Sequence, residues 1–342
     1  MRKRRFLATI LILITVILCG CGGQGSTQSS ATEDYREEIK SNSIVVGFSQ
    51  VGSESDWRRA NTMSYKNTFT EDKGFHLIYD DAQQKQENQL KAIRKFILQK
   101  VDYIILDPIV ETGWDEVLAE AKKENIPVII VDRQVNIRDD LYTCWVGSNF
   151  YQEGVNAGKW LEEYLKGQNR ENDIINIVSL QGTIGSTSQI GRTEGFQSIL
   201  DKHENWKLLE RKSADYTVNK GEEVMAEFLT KYPKIDVLIS ENDDMSFGAI
   251  KSIRAAGRTN GINGQITIVS YDGLEPALKQ IQAGEINVIF ECNTQLGPVV
   301  AKLIKSLEAG EKIEKINYVE ETYYDNTMDL ASVIKEKHLY LK

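Results

Sequence analysis

Apolar runs of strand length alternate with stretches of helical period along most of this chain, and that alternation constrains the fold more than any other feature. Ile44–Ser49, Phe75–Tyr79, Tyr103–Leu106, Val128–Val131 and Tyr142–Val146 read as strands. Between them, Glu87–Gln99 places Leu90, Ile93, Phe96 and Ile97 on one helical face, and Trp114–Glu124 reads as a further helix. From about Asn149 the alternation begins again, with strands near Ile174–Leu180, Leu208–Ser213, Val237–Ser240, Ile266–Ser270 and Val288–Phe290. Unbroken Val/Ile/Leu runs suit parallel strands covered on both faces. Two such arrays predict an α/β protein of two doubly wound, Rossmann-like lobes with a cleft between them. No long linker parts the halves, so the chain is expected to cross between them by short hinge strands. The stretch from Ile316 onward reads as strand then helix.

Polar residues follow these runs directly, at the strand ends where a cleft would lie. The first such stretch is VVGFSQVGSESDWRR, Val45 to Arg59, a strand that empties into a polar loop and then a helix start. Backbone N–H groups at such a start can bind ligand oxygens. A Trp57-Arg58 pair on its own reads as core plus surface charge. Its company changes that reading. Asp107-Pro108, Asp132-Arg133, Gly182–Ser186 with Arg192, Glu241–Asp244, Tyr271–Gly273 and Glu291 all sit at strand ends. A single Asp there is ordinarily a helix cap. Several acids facing two or three Arg form a ligand site.

The N-terminus sets the expected address. Four basic residues precede the apolar run Phe6–Leu18, which is short for a spanning helix and fits a secretory signal. It ends in Leu18-Cys19-Gly20-Cys21, which resembles a bacterial lipobox, with Cys21 the lipidated residue and 1–20 removed. Residues 21–42 then form a flexible tether, and the folded part lies on the extracellular face of the cytoplasmic membrane, anchored by lipid. The formal net charge of −9 argues against nucleic acid as a partner. His76, His203 and His338 make no metal-ligand spacing with one another or with a Cys, so neither a metal nor a cofactor is expected.

VGFSQVGSESDWR, DAQQKQENQLKAIRKF, ETGWDEVLAEAKKENIPVIIVDR, LQGTIGSTSQIGRTEGF, ENDDMSFGAI and SYDG together resemble the solute-binding proteins of bacterial ABC sugar importers, in the type I, ribose-binding-like family. GFSQVGSES, GW and DAQQKQENQ are most similar to its galactofuranose-binding members. The resemblance implies a non-enzymatic monomer. Its two lobes are joined by three crossovers and close on one monosaccharide, a galactofuranose-like sugar or a related pentose or hexose. It assigns 43–145 plus 292–322 to the N-terminal lobe and 146–291 plus 323–342 to the C-terminal lobe. Its binding pattern falls on Glu54, Ser55, Trp57, Arg58, Asp132, Arg133, Arg192, Asn242, Asp272 and Glu291, with Asn293 the alternative to Glu291. The implied partners are an ABC permease and its ATPase. A membrane receptor kinase that senses sugar through the same protein is the alternative.

The residue chemistry fits a sugar independently. Hydroxyls both donate and accept, so a closed site needs carboxylates and amides as acceptors and Arg as a multiple donor. Trp57 would cover the C–H face of the ring. A glycosidase is disfavoured, because Arg neighbours lower carboxylate pKa and spoil a general acid. Asp56, where a small residue is expected, would tune the sugar chosen. Gln83, Gln84, Gln86 and Asn88 read as support for the first loop more than as sugar ligands. Cys144 and Cys292 fall in expected crossovers, either as a hinge disulfide or as two buried thiols.

Overall fold

The computed structural model describes residues 43–337, so the expected signal segment, Cys21 and the tether lie outside the described residues. The first half runs β1 (Ile44–Gln50), α1 (Asp56–Thr68), β2 (Phe75–Asp81), α2 (Gln86–Leu98), β3 (Tyr103–Leu106), α3 (Asp115–Lys123), β4 (Val128–Val131) and β5 (Cys144–Gly147). The second runs α4 (Phe150–Gly167), β6 (Ile175–Gln181), α5 (Thr187–Leu200), β7 (Trp206–Ser213), α6 (Val218–Lys231), β8 (Val237–Ser240), α7 (Asp243–Ala255), β9 (Thr267–Asp272), α8 (Glu275–Gln282) and β10 (Val288–Glu291). The chain ends with α9 (Leu296–Glu308), β11 (Ile316–Tyr318), β12 (Tyr323–Asp325) and α10 (Leu330–Lys337).

These strands form two six-stranded sheets, ordered β11-β5-β4-β3-β1-β2 and β12-β10-β9-β8-β6-β7. The interior strands β3, β4 and β8 are buried at every position. That is what a parallel strand covered by helices on both faces requires. The edge strands β2 and β7 are only partly covered. Leu296, Val300 and Ile304 of α9 pack with Val46, Phe48 and Ile105 of the first sheet, so the chain returns to the first lobe after β10.

The C-terminal stretch differs from the single strand expected. β11 pairs parallel with β5 in the first sheet, and β12 pairs antiparallel with β10 in the second. The chain therefore crosses a third time between Tyr318 and Tyr323. Both strands are three residues long, too short to separate by pattern alone. Cys144 and Cys292 are both buried free thiols, and no disulfide joins them. Cys144 packs in the core of the first sheet, whereas Cys292 packs with Trp57, Phe150 and Leu274. No helix among the described residues is long and apolar enough to cross a membrane.

Candidate functional site

The carboxyl ends of both sheets deliver their loops to one small cavity. Glu54, Ser55, Trp57, Arg58, Asp132 and Arg133 line it from the first lobe, and Arg192, Asn242 and Asp272 from the second. Nine of the ten residues singled out from sequence thus meet around one space.

On the first wall, Ser55 caps α1 by accepting the Arg58 N–H at 3.1 Å. Such caps stabilise a helix by about 1 kcal/mol, and this one fixes where Trp57 and Arg58 leave the helix. The Arg58 guanidinium then gathers three acids. Its Nε donates to Glu54 at 3.0 Å, and its Nη1 pairs with Asp132 at 2.9 Å and with Asp107. It also lies 4.8 Å from the Trp57 ring centroid. Arg133 donates from Nη1 to the Ile109 carbonyl at 3.1 Å and lies 3.7 Å from Glu54. Gln89, on α2, spans the loop after β3, donating to the Asp107 carbonyl and accepting the Ile109 N–H.

On the second wall, Arg192 donates to Glu153 at 2.6 Å and to the Glu241 carbonyl at 2.6 Å, and lies 3.7 Å from Asp272. The close approach of α4 and α5 makes this possible. A Cβ on Gly154 would overlap the Arg192 carbonyl, and one on Gly195 would overlap the Tyr151 carbonyl. Asn242 caps α7 through Met245 N–H and donates to the Tyr216 carbonyl. Asp132 and Asp272 stand at the carboxyl ends of equivalent strands and share an unusual backbone, with φ of 56° and 106°. Positive φ is uncommon outside glycine and concentrates at functional positions.

Contacts among the described residues close the lobes on each other. The Asp56 N–H donates to Asp244 Oδ2 at 2.7 Å, and the Gln134 N–H to Thr187 Oγ1 at 2.8 Å. Arg133 lies 5.7 Å from the Tyr216 ring centroid, and at the hinge Trp57 Nε1 donates to the Cys292 carbonyl at 2.6 Å. Asp56 therefore faces the opposite lobe through its backbone, and its side chain pairs with Arg59.

The tenth residue, Glu291, is a correction. It does not line the cavity. It lines a separate groove along the hinge, and its Oε2 accepts the Thr322 N–H. The alternative, Asn293, is not there either, since its Oδ1 accepts the Gln295 N–H. Consecutive side chains of an extended segment point opposite ways, so it is Cys292, between them, that reaches the cavity. Phe150, Ser188 and Tyr216 are further lining residues that the sequence reading missed. Ser188 lies four residues before Arg192, on the same helix face, and that spacing was a usable signal. Its hydroxyl pairs with Tyr216 at 2.8 Å, and Tyr216 rests against the bare Cα of Gly182. Gln83, Gln84, Gln86 and Asn88 stay outside the cavity. Gln84 N–H donates to the Val51 carbonyl and Asn88 Nδ2 to the Ala82 carbonyl, which holds the first loop.

The electrostatics also depart from expectation. Guanidinium neighbours do not hold every acid down. The Glu54 carboxyl is lowered, despite burial, by Arg58 and Arg133. Burial instead pushes Asp107 and Asp272 up against the pull of Arg58 and Arg192. Burial raises Glu241 to about 7 and Asp244 to about 6. At the hinge, burial and the nearby Glu153 push Glu321 up to about 8.

Comparison with known proteins agrees with this geometry. Residues 46–312 match the family model described as periplasmic binding protein domain. The galactofuranose-binding protein YtfQ of Escherichia coli (strain K12) is 39% identical over 286 residues, covering 82% of this chain and 87% of that protein. A solved structure from Mycobacterium smegmatis, in complex with β-D-fucofuranose, superposes with a TM-score of 0.82 at 38% identity, covering 87% of this chain and 96% of that one. The periplasmic binding protein component of the arabinose ABC transporter from Shewanella sp. ANA-3, bound to α- and β-L-arabinofuranose, gives a TM-score of 0.80 at 37% identity, covering 86% and 96%. With so much of the chain matched and two α/β lobes closed over a polar cavity, this chain belongs to the periplasmic binding protein family in its type I form, whose members hold a solute and catalyse nothing.

Proposed function

We propose that this chain captures one uncharged monosaccharide in furanose form and delivers it to an ABC permease. The observation that carries the reading is the charge balance of the cavity wall. Three guanidinium groups, of Arg58, Arg133 and Arg192, stand with three carboxyls, of Glu54, Asp132 and Asp272. A charged solute would upset that balance, whereas a polyol meets donors and acceptors alike. Glu54 Oε2 and Arg133 Nε are buried without hydrogen-bond partners among the described residues, an arrangement costly unless a polar ligand meets them. Trp57, Phe150 and Tyr216 offer flat faces for its C–H groups. The relatives above, named for galactofuranose or solved with five-membered sugar rings, point to the same ring form.

No bond is made or broken in this reading. Contacts from both walls favour the closed arrangement, and closure presents the joined lobes to the permease. The protein works as a monomer on the outer face of the cytoplasmic membrane, tethered through lipid on Cys21. A thermal-shift and calorimetric screen of pentoses and hexoses, with ring-locked furanose and pyranose analogues, tests the ligand. The expected result is stabilisation by furanose forms. Stabilisation only by charged solutes, or by no sugar, overturns it. Cys21→Ala is expected to move the protein from the membrane fraction to the soluble fraction.

A further inference from the structure

The groove along the hinge is a second concave feature, separate from the sugar cavity. It carries Glu153, Glu163, Glu291 and Glu321 against a single Lys159, so its potential attracts cations. Where the inner wall of the groove backs onto the sugar cavity, three side chains from three segments meet. Glu153 comes from the first turn of α4, Cys292 from the crossover after β10, and Glu321 from the crossover between β11 and β12. One donor atom of each lies within 4.8 Å of the other two.

The surroundings of this trio point to a ligand. Glu153 is only 5% exposed, and its Oε1 has no hydrogen-bond partner among the described residues, while Oε2 is held by Arg192. Glu321 Oε1 accepts from Ser148 Oγ at 2.6 Å and from the Asn293 N–H at 2.7 Å. The same Ser148 hydroxyl lies 3.3 Å from Cys292 Sγ. Ser148, Arg192 and the Asn293 amide thus orient the three donors, as outer groups do around bound metals.

We propose that Glu153, Cys292 and Glu321 form a site for a divalent cation of the zinc class. A thiolate with two carboxylates suits a borderline-soft ion, and three protein donors leave a fourth position open to water. Calcium and magnesium prefer more ligands, all oxygen. Metal–sulfur and metal–oxygen bonds near 2.3 and 2.0 Å draw the donors about 1 Å closer together, within the reach of side-chain rotation. As the ion binds, the Cys292 thiol proton and the Glu321 carboxyl proton both pass to solvent. The bound ion ties α4 to two of the three crossovers. Cys292 also lines the sugar cavity, so cation and sugar affect each other's affinity by the same factor.

Cobalt is the probe. Metal-stripped, untagged protein is titrated with Co²⁺, without sugar, and followed by near-ultraviolet absorption. A sulfur-to-cobalt charge-transfer band that saturates at one equivalent and disappears on adding Zn²⁺ is expected. Cys292→Ser should abolish it, Cys144→Ser should keep it, and Glu321→Gln should weaken Co²⁺ binding at least tenfold. Absence of the band in the native protein, or its persistence in Cys292→Ser, overturns the site. This readout is independent of sugar binding, so its failure leaves the transport reading untouched.

Discussion

The two lobes are built to one plan and wired differently. Each places an Asp of positive φ at the carboxyl end of the strand in the same sheet position, Asp132 just after β4 and Asp272 as the last residue of β9. Each puts an acid after the neighbouring strand, Asp107 after β3 and Glu241 after β8, and each caps the helix that follows its inner strand β1 or β6 with Ser, Ser55 and Ser186. Each sends an Arg from that helix to the cavity. In the first lobe, however, Arg58 is shared by Glu54, Asp107 and Asp132, while in the second Arg192 has one close carboxylate, Glu153, a more distant Asp272, and a backbone carbonyl. Neutral groups complete that side, the hydroxyls of Ser188 and Tyr216 and the amide of Asn242. One half of the site is thus an ionic lattice held in place before any ligand arrives. The other sets one guanidinium among neutral hydroxyl and amide groups that hydrogen-bond to one another and to the backbone.

The largest test of this contrast removes the cation from each half. Arg58→Met strands three acids in a buried setting and is expected to cost the unliganded protein about 3–5 kcal/mol in urea unfolding, with Arg192→Met costing clearly less. Equal losses would erase the distinction. Next comes pH. Glu241 titrates near 7 when folded and near 4.5 otherwise, so the folded state holds its proton over that interval and the unfolded state does not. Stability from this group is complete below pH 4.5 and is lost as pH rises through 7, by up to roughly 3 kcal/mol. Glu241→Gln should flatten the slope between pH 5 and 7, and an unchanged slope would assign it elsewhere.

Asp132→Asn and Asp272→Asn sharpen the comparison through sugar affinity. Both keep a residue that tolerates positive φ, and each is expected to cost about 2 kcal/mol in calorimetric binding. A loss confined to one lobe would make that lobe the sole source of recognition. The smallest effect belongs to Asp244, which does not itself line the cavity and holds the α1 N-terminus across the cleft. Asp244→Ala should weaken every sugar by about 1 kcal/mol without reordering them. A changed ranking would make it a specificity residue instead of a clasp.

Much of the frame was legible because parallel strands advertise themselves: Tyr103–Leu106, Val128–Val131 and Val237–Ser240 begin and end where their apolar runs do. β7 starts at Trp206, earlier than expected, since Trp-Lys-Leu-Leu does not look like a continuous buried run at an edge. The polar set at strand ends was legible for the same reason. Phe150 and Tyr216 were not, because α4 and the loop before α6 carry them in from segments whose local pattern says nothing about the cleft. Glu291 failed by one residue, which in an extended segment is half a turn.

Asp132 and Asp272 also bear on how such a protein changes over generations. Their backbone admits Asp, Asn and Gly and strains nearly every other residue, above all the β-branched ones. A lineage acquiring a new solute therefore has almost no alphabet to draw on at those two positions. Variation is channelled instead to Phe150 and Ser188, whose helical backbone leaves the choice of side chain open, whereas Tyr216, with φ of 60°, shares the restriction.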